Sequence, residues 1–379
     1  MGSRRRLAHG TTTRLRLLAD DLTGALDTAA QFTGSVGAVT VRFLPGDASA
    51  GEACLAYDSA TRALPTHEAG AAMTALADFF DGAPIAFKKV DSLLRGHPAT
   101  ELTESFRNGG FRSAVVAPAF PAQGRATRGG VQYARALDGA WLPVAAAFAD
   151  ELAQLELPVR RIARADEIAG EALFLCDAET DADLAAIAAA GARLAPPVLW
   201  CGSAGLAAAI AGTAPPRKPA LPEPLLAIVG SHHAVARVQV ERCRELHPDL
   251  WIALGPSGAE ADAVQGCLDE AGAALVTFAL PDGVSDAEAA RRIAGLLGRL
   301  LPRLDAPAGL LVSGGETLRT VAEALRAEAF LVNGEAAPGL PASRLVGGRW
   351  DGVRVVSKSG AFGDAGLLAR LVAARGGLL

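Results

Sequence analysis

Along residues 15–32 a short, mainly apolar stretch, LRLLA, stops at the adjacent carboxylates Asp20 and Asp21, and the apolar positions that follow recur at helical spacing. The pattern predicts a strand, a charged turn and a helix. Strand-like runs then cover 36–42 and 53–57, an amphipathic helix covers 66–80, and further strands start at Pro84 and Ser113. Residues 121–134, PAQGRATRGGVQYA, break the pattern and read as a glycine- and arginine-bearing loop, followed by a helix-like stretch from Val144. ALFLCDAETDADLAAIAAAG and PVLWCGSAGLAAAIAG each give a strand, a turn and a helix. Alternation of this kind predicts an α/β chain built on a mostly parallel sheet flanked by helices.

Residues 213–224, TAPPRKPALPEP, hold five prolines and little periodicity. Such a segment propagates neither a helix nor a central strand, and reads as a linker. Beyond it LLAIVGSHHAVARVQVERC, DLWIALGPSGAEADAVQGCL, GLLVSGGETLRTVAEAL and RVVSKSGAFGDAGLLARL restart the alternation of strand, turn and helix. The predicted organisation is a frayed tail (1–13), an α/β domain (14–212), the proline-rich linker (213–224) and a second α/β domain (225–379).

Length agrees with two domains, since 379 residues exceed what one core usually supports. With 50% hydrophobic and 20% charged residues the composition is globular. The net charge of -5 argues against nucleic acid as the main partner, because phosphate backbones are met by clustered Lys and Arg. No apolar run reaches the roughly eighteen residues that a membrane span needs, and the basic start lacks the apolar region of a signal peptide. Cys54, Cys176, Cys201, Cys243 and Cys267 show neither CxxC nor zinc spacing; the first three sit in or beside apolar strand-like runs and read as buried free thiols in a reducing cytoplasm.

In open α/β sheets the turns beyond the carboxyl ends of the strands line the ligand crevice. Asp20 and Asp21 are therefore candidates to face a substrate, with helix capping as the plain alternative. Thr23 and Gly24 open a helix whose first amides favour an anion. At the end of the strand from Pro84, the residues Lys88, Lys89, Asp91, Ser92, Arg95 and Gly96 crowd together. The planar fork of Arg95 suits a carboxylate ligand; an Asp91–Arg95 ion pair at helix spacing is the alternative. Gly124, Arg125 and Thr127 lie in the long loop and are candidates to reach over a site, against a solvated surface loop. Gly314 and Gly315 precede Glu316, Thr317 and a helix, so the backbone there can approach a phosphate closely. Lys358, Gly360 and Gly363 form a second such turn. Neither turn has GxxxxGK[ST] or GxGxxG spacing. His232 and His233 have no third ligand at suitable spacing and read as an exposed helix start.

Taken in order, ADDLTGALDTAAQF, KKVDSLLRG, APAFPAQGR, GSAGLA, GGETLRTVAEAL and KSGAFGD resemble the four-carbon acid sugar kinase family over nearly the whole chain. The resemblance implies an N-terminal domain that holds a sugar acid, a C-terminal domain that holds ATP, and an active site in the cleft between them. It implies that Asp21 and Arg95 contact the acid, and that Ser231, Gly314, Gly315, Glu316, Thr317 and Gly360 contact ATP. DSLLRG resembles the threonate and erythronate kinase branch, which favours a 2,3,4-trihydroxy acid over its 3-oxo relative. Two positions depart from the family pattern: Ala236 stands where a threonine is usual in the GSxxxxT turn, and Leu93 where DSTLRG has threonine.

The expected reaction is in-line transfer of the ATP γ-phosphoryl group to the 4-hydroxyl of a tetronate, with Mg2+ and cationic groups neutralising charge. Asp21 is the first choice to orient or deprotonate the hydroxyl, with Asp91 and Asp364 as rivals. Asp20, Lys89, Asp91, Arg95, Gly124 and Arg125 complete the expected acid site. Lys358 and the glycine turns are expected to stabilise the phosphates. A homodimer is compatible with this organisation. The rival readings are a non-catalytic sensor of acid sugar or nucleotide, and an NAD-dependent oxidoreductase, against which the missing GxGxxG counts.

Overall fold

The computed structural model describes residues 13–45, 51–136, 138–145, 148–154, 159–218, 221–255, 260–281 and 283–374. Most of the expected tail, 1–12, and Pro219 and Ala220 of the expected linker lie outside these residues. The chain divides into two units. The first joins the stretch ending at Asp20 to 44–213, and the second joins 21–43 to the stretch starting at Ala214.

The first unit carries a wholly parallel sheet in the order Cys54–Asp58, Leu15–Ala19, Ile85–Lys89, Val198–Gly202, Ser113–Ala117, Leu173–Cys176, Val159–Ile162. Leu15, Leu17, Leu18 and Ala19 are fully buried, as expected for a central strand covered on both faces. One core packs Leu18, Leu55, Ala86, Val116 and Leu199 together with Leu102 and Phe106 of the helix Pro98–Asn108. The predicted helix over 66–80 ends at Ala75, and Ala77–Phe80 continue as a 3-10 turn that inserts Phe79 and Phe80 into this core.

Residues 121–134 are not an open loop. Arg125–Arg128, Val131–Arg135 and Trp141–Ala145 form a separate antiparallel sheet. Gly129 and Gly130, both at positive φ (57° and 76°), make the two-residue turn whose backbone matches strand twist. The strand Trp141–Ala145 also takes the start of the stretch predicted to be helical from Val144, and the helix itself runs over Phe148–Gln154.

The second unit has its own sheet, Trp251–Leu254, Ala273–Phe278, Leu225–Val229, Gly309–Ser313, Arg354–Lys358, Leu340–Val346, Ala329–Ala337, Val39–Arg42. The strands are parallel as far as Arg354–Lys358, and the remaining pairings are antiparallel. The helix Leu22–Val36 and strand Val39–Arg42 belong to this unit, where Phe43 packs against Phe330 with the rings tilted and its carbonyl accepts from Arg319. Residues 216–218 run along Ala329–Ala337, with Lys218 N donating to the Glu335 carbonyl. No helix among the described residues is long and apolar enough to cross a membrane.

Candidate active site

In the first unit, chemistry gathers where strands Leu15–Ala19 and Ile85–Lys89 end. Asp20 is buried and held by both forks of Arg62, Nε to Oδ2 at 2.7 Å and Nη2 to Oδ1 at 2.9 Å. Burial alone would raise the Asp20 pKa; the charge and hydrogen bonds of Arg62, with Lys89 and Lys88, outweigh it and hold it below the ordinary value. Asp91 is clasped by Arg95 through Nε (2.9 Å) and Nη2 (2.8 Å), and its Oδ2 also accepts from the amides of Leu93 and Arg95. Burial would raise Asp91 too, but these bonds and the charges of Arg62, Lys89 and Arg95 keep it well below the usual carboxylate range. Arg62 lies between the two acids, 3.7 Å from Asp91 Oδ1.

The turn after Asp91 is tightly shaped. Leu94 sits in the left-handed region (φ 53°), a conformation that costs a non-glycine residue roughly 1–3 kcal/mol. A Cβ on Gly96 (φ 82°) would fit tightly, 3.3 Å from Asp20 Oδ2 and 3.4 Å from Arg62 Cα, in a backbone conformation that side chains rarely adopt. Gln132, from the small antiparallel sheet, donates to the Ser92 carbonyl at 2.8 Å and accepts from Thr127 at 2.7 Å, so the sheet is pinned to this turn. Beneath it Lys88 and Glu101 form a fully buried ion pair at 2.6 Å, and Thr61 donates to Glu101 at 2.7 Å.

Arg125 differs from the other cations. Its Nη1 donates to the carbonyls of Gln123 and Gly124, while Nε is buried with no hydrogen-bond partner among the described residues. Burial lowers its pKa, Asp91 opposes the shift and the nearby Arg95 charge adds to it. Arg125 therefore faces the Asp91–Arg95 pair with a desolvated donor unused, a costly arrangement that an anionic ligand would relieve. Gly124 supplies the left-handed turn (φ 66°) that brings it there.

In the second unit Asp21 Oδ1 caps the helix Leu22–Val36 by accepting from Gly24 N at 3.0 Å. The same carboxylate adjoins the glycine turn, since a Cβ on Gly315 would lie 3.8 Å from Asp21 Oδ2 and 2.7 Å from Thr23 Oγ1. Gly314 (φ 110°) starts the helix Gly315–Ala324 without any side-chain cap, leaving its first amides for a ligand. Gly230 packs against Thr317, a Cβ on Gly314 would lie 3.2 Å from Thr317 Oγ1 and 3.4 Å from Ser231 Cβ, and Gly360 packs directly on Ser231. Ser231, Gly314, Gly315, Thr317 and Gly360 are thus brought together in a cradle that added Cβ atoms would fill. Glu316 is exposed at its edge. Lys358 is buried behind the cradle, its Nζ on the carbonyls of Ser359 (2.8 Å) and Phe362 (3.2 Å). Burial pushes its pKa down to about 8.

Several expected residues are otherwise engaged. Asp364 is exposed and paired with Arg370 at 2.7 Å. His233 caps the helix Ala234–Leu246 through Nδ1, and Ala236 is buried in the core of the second unit. Among the described residues no group of three or more His, Cys, Asp or Glu could hold a metal ion. Sequence reasoning missed Arg62, Gln132 and Gln239; Arg62 lies 42 positions from its partner Asp20 in a stretch without periodicity.

The family described as "Sugar-binding N-terminal domain" matches residues 15–147 and 140–210, and the one described as "Nucleotide-binding C-terminal domain" matches 226–368. A D-threonate kinase from Cupriavidus necator is 34% identical, covering 93% of this chain and 95% of its own length. Another from Bordetella bronchiseptica is 30% identical with the same coverage. A Salmonella typhimurium LT2 protein, provisionally described as a tRNA synthase, has a solved structure with TM-score 0.75 at 20% identity, covering 94% of this chain and 98% of that one. A Haemophilus influenzae structure gives 0.64 at 19% identity, again covering 94% and 98%. At such identities the two structures share the fold alone.

Proposed function

This chain belongs to the family built from a sugar-binding N-terminal and a nucleotide-binding C-terminal domain, and from that premise we propose that it is a kinase that transfers the γ-phosphoryl group of ATP to the 4-hydroxyl of a four-carbon sugar acid, threonate or erythronate. The naming of its relatives as D-threonate kinases supports the substrate class. One observation carries the acid half: Arg62, Lys89, Arg95 and Arg125 gather around Asp20 and Asp91 in one electrostatically linked cluster, with Arg125 Nε buried and without a hydrogen-bond partner among the described residues. A small carboxylate supplies an acceptor for that donor.

Arg125 takes the substrate carboxylate in this reading. Arg95 is committed to Asp91, and helps by holding that acid and the shape of the 91–96 turn. Asp20 and Arg62 form the floor of the site, with Lys89 and Gly124 beside it. Asp21 orients the hydroxyl and accepts its proton, because it adjoins the glycine turn that receives the nucleotide. Ser231, Gly314, Gly315, Glu316, Thr317 and Gly360 receive the nucleotide, with backbone amides and the helix dipole directed at phosphate. Magnesium enters as the counter-ion of the nucleotide, and no step is assigned to a resident metal. The five free cysteines, four of them buried, accord with work in the cytoplasm.

The test is ADP release with a panel of D- and L-threonate, D- and L-erythronate and their 3-oxo relatives. Turnover with one of the trihydroxy acids is expected. Ligand-induced thermal shifts without ADP release from any acid would instead indicate a sensor.

A further inference from the structure

The loop after strand Arg354–Lys358 is fastened from beneath by two buried side chains. Lys358 Nζ donates to the carbonyls of Ser359 and Phe362. Gln239, fully buried on the helix Ala234–Leu246, donates through Nε2 to Phe362 O at 3.0 Å and Asp364 O at 2.8 Å. Three carbonyls in six residues are thus held by two side chains, and Phe362 O is shared between them. The main chain of Lys358 makes a further tie, its carbonyl accepting from Gly314 N at 2.9 Å.

We propose that Gln239 and Lys358 are positioning residues for the nucleotide, clamping the 359–364 backbone so that Gly360 stays seated on Ser231 beside the Gly314 turn. The inference rests on the reading of that turn as the nucleotide cradle, and it gives Lys358 an indirect role rather than a phosphate contact. Lys358 is 1% exposed, and its ammonium rests on the carbonyls of Ser359 and Phe362 with no carboxylate partner among the described residues. A buried cation without a counter-ion is unfavourable, and an apolar side chain would pack there at less cost. What the charge does accomplish is the hold on two carbonyls that would otherwise turn to solvent. The depressed pKa, about 8 from burial alone, agrees with an ammonium facing dipoles and no opposite charge.

Gln239 is the sharper probe because it reaches the loop from another element. Its Oε1 is buried without a partner, so the side chain is oriented by its amide donors alone. Gly363 (φ 90°) completes the fit, since a Cβ there would press on Leu367 and come within 3.2 Å of Gln239 Nε2. The helix that carries Gln239 begins just after Ser231, so the clamp and the cradle share one support.

The experiment compares wild type, Gln239→Leu and Lys358→Met by hydrogen exchange of the 359–366 amides and by equilibrium binding of ATP, alongside steady-state kinetics. Both variants should exchange the loop amides at least tenfold faster without change elsewhere in the second unit. Both should weaken ATP binding and raise its KM about tenfold, with kcat and the KM for the acid within twofold of wild type. Unchanged loop exchange in Gln239→Leu would overturn the clamp whether or not the protein is a kinase. Faster loop exchange with unchanged ATP affinity would overturn its role in nucleotide binding. A wild-type protein that binds ATP but phosphorylates no acid would instead contradict the proposed reaction, leaving the clamp to be judged by the exchange and binding arms.

Discussion

Asp21 and its neighbour Asp20 have the same side chain and different surroundings. Asp20 is locked by Arg62, which keeps it ionised and unsuited to accept a proton. Asp21 caps a helix and borders Gly315. Asp21→Asn should lower kcat by about 10²- to 10⁴-fold, the usual worth of a positioned base, while the KM for ATP stays near wild type; steady-state kinetics with wild-type turnover would remove Asp21 from the chemistry. Arg125→Ala should weaken the acid by roughly 2 kcal/mol or more, about thirtyfold in KM, through loss of a desolvated charge pair. Little change in that KM would return the role to Arg95. The Asp91–Arg95 pair was legible in the sequence from its spacing. Arg125 was legible as a candidate of a glycine- and arginine-bearing loop, but its buried, unmatched Nε was not, because that depends on which donors end up buried in three dimensions.

Asp20 and Asp91 also set a pH response. Both folded-state pKa values are depressed, so the unfolded chain binds protons first. Their stabilisation is fully present above the ordinary carboxyl value of 3.8 and is lost as pH falls from there through the lower folded values. Urea midpoints should therefore drop between about pH 5 and pH 3 more steeply in wild type than in Asp91→Asn. Equal slopes would contradict the depressed value.

Among elements, the strand ends carry the proposed acid site, and the buried Lys88–Glu101 pair supports one of them. Glu101→Gln should cost about 3 to 5 kcal/mol in unfolding free energy, because Lys88 would be left charged in the core; a loss well under 1 kcal/mol would show that water reaches the pair. The alternation of strands and helices was readable because central parallel strands are continuous apolar runs. The small antiparallel sheet was not, although Gly129 and Gly130 are a hairpin signal, since polar and arginine-rich flanks hid the strands of this half-exposed hairpin. The antiparallel strands Ala329–Ala337 and Leu340–Val346 were likewise passed over; they have no helix between them to mark the alternation.

For the whole molecule, periodicity shows which face a helix buries but not what it is buried against. The helix Leu22–Val36 and the strand Val39–Arg42 follow the first strand in sequence, yet pack in the unit that contains the glycine turn. Asp20 and Asp21 thus fall in different units although one peptide bond joins them. If the two ligands have separate sites, each at about 100 times its Kd should add about 2.7 kcal/mol of apparent stability. Arg125→Ala should abolish the threonate shift in thermal melting and keep the ATP shift; loss of both together would speak against separate sites.

The most direct measurement is to incubate the wild-type protein with ATP, magnesium and D-threonate or D-erythronate, and to locate the transferred phosphate by phosphorus and carbon NMR. The predicted result is stoichiometric ADP and a single 4-phosphorylated acid. Phosphate on another oxygen, or ADP formed only with inorganic phosphate, would contradict it.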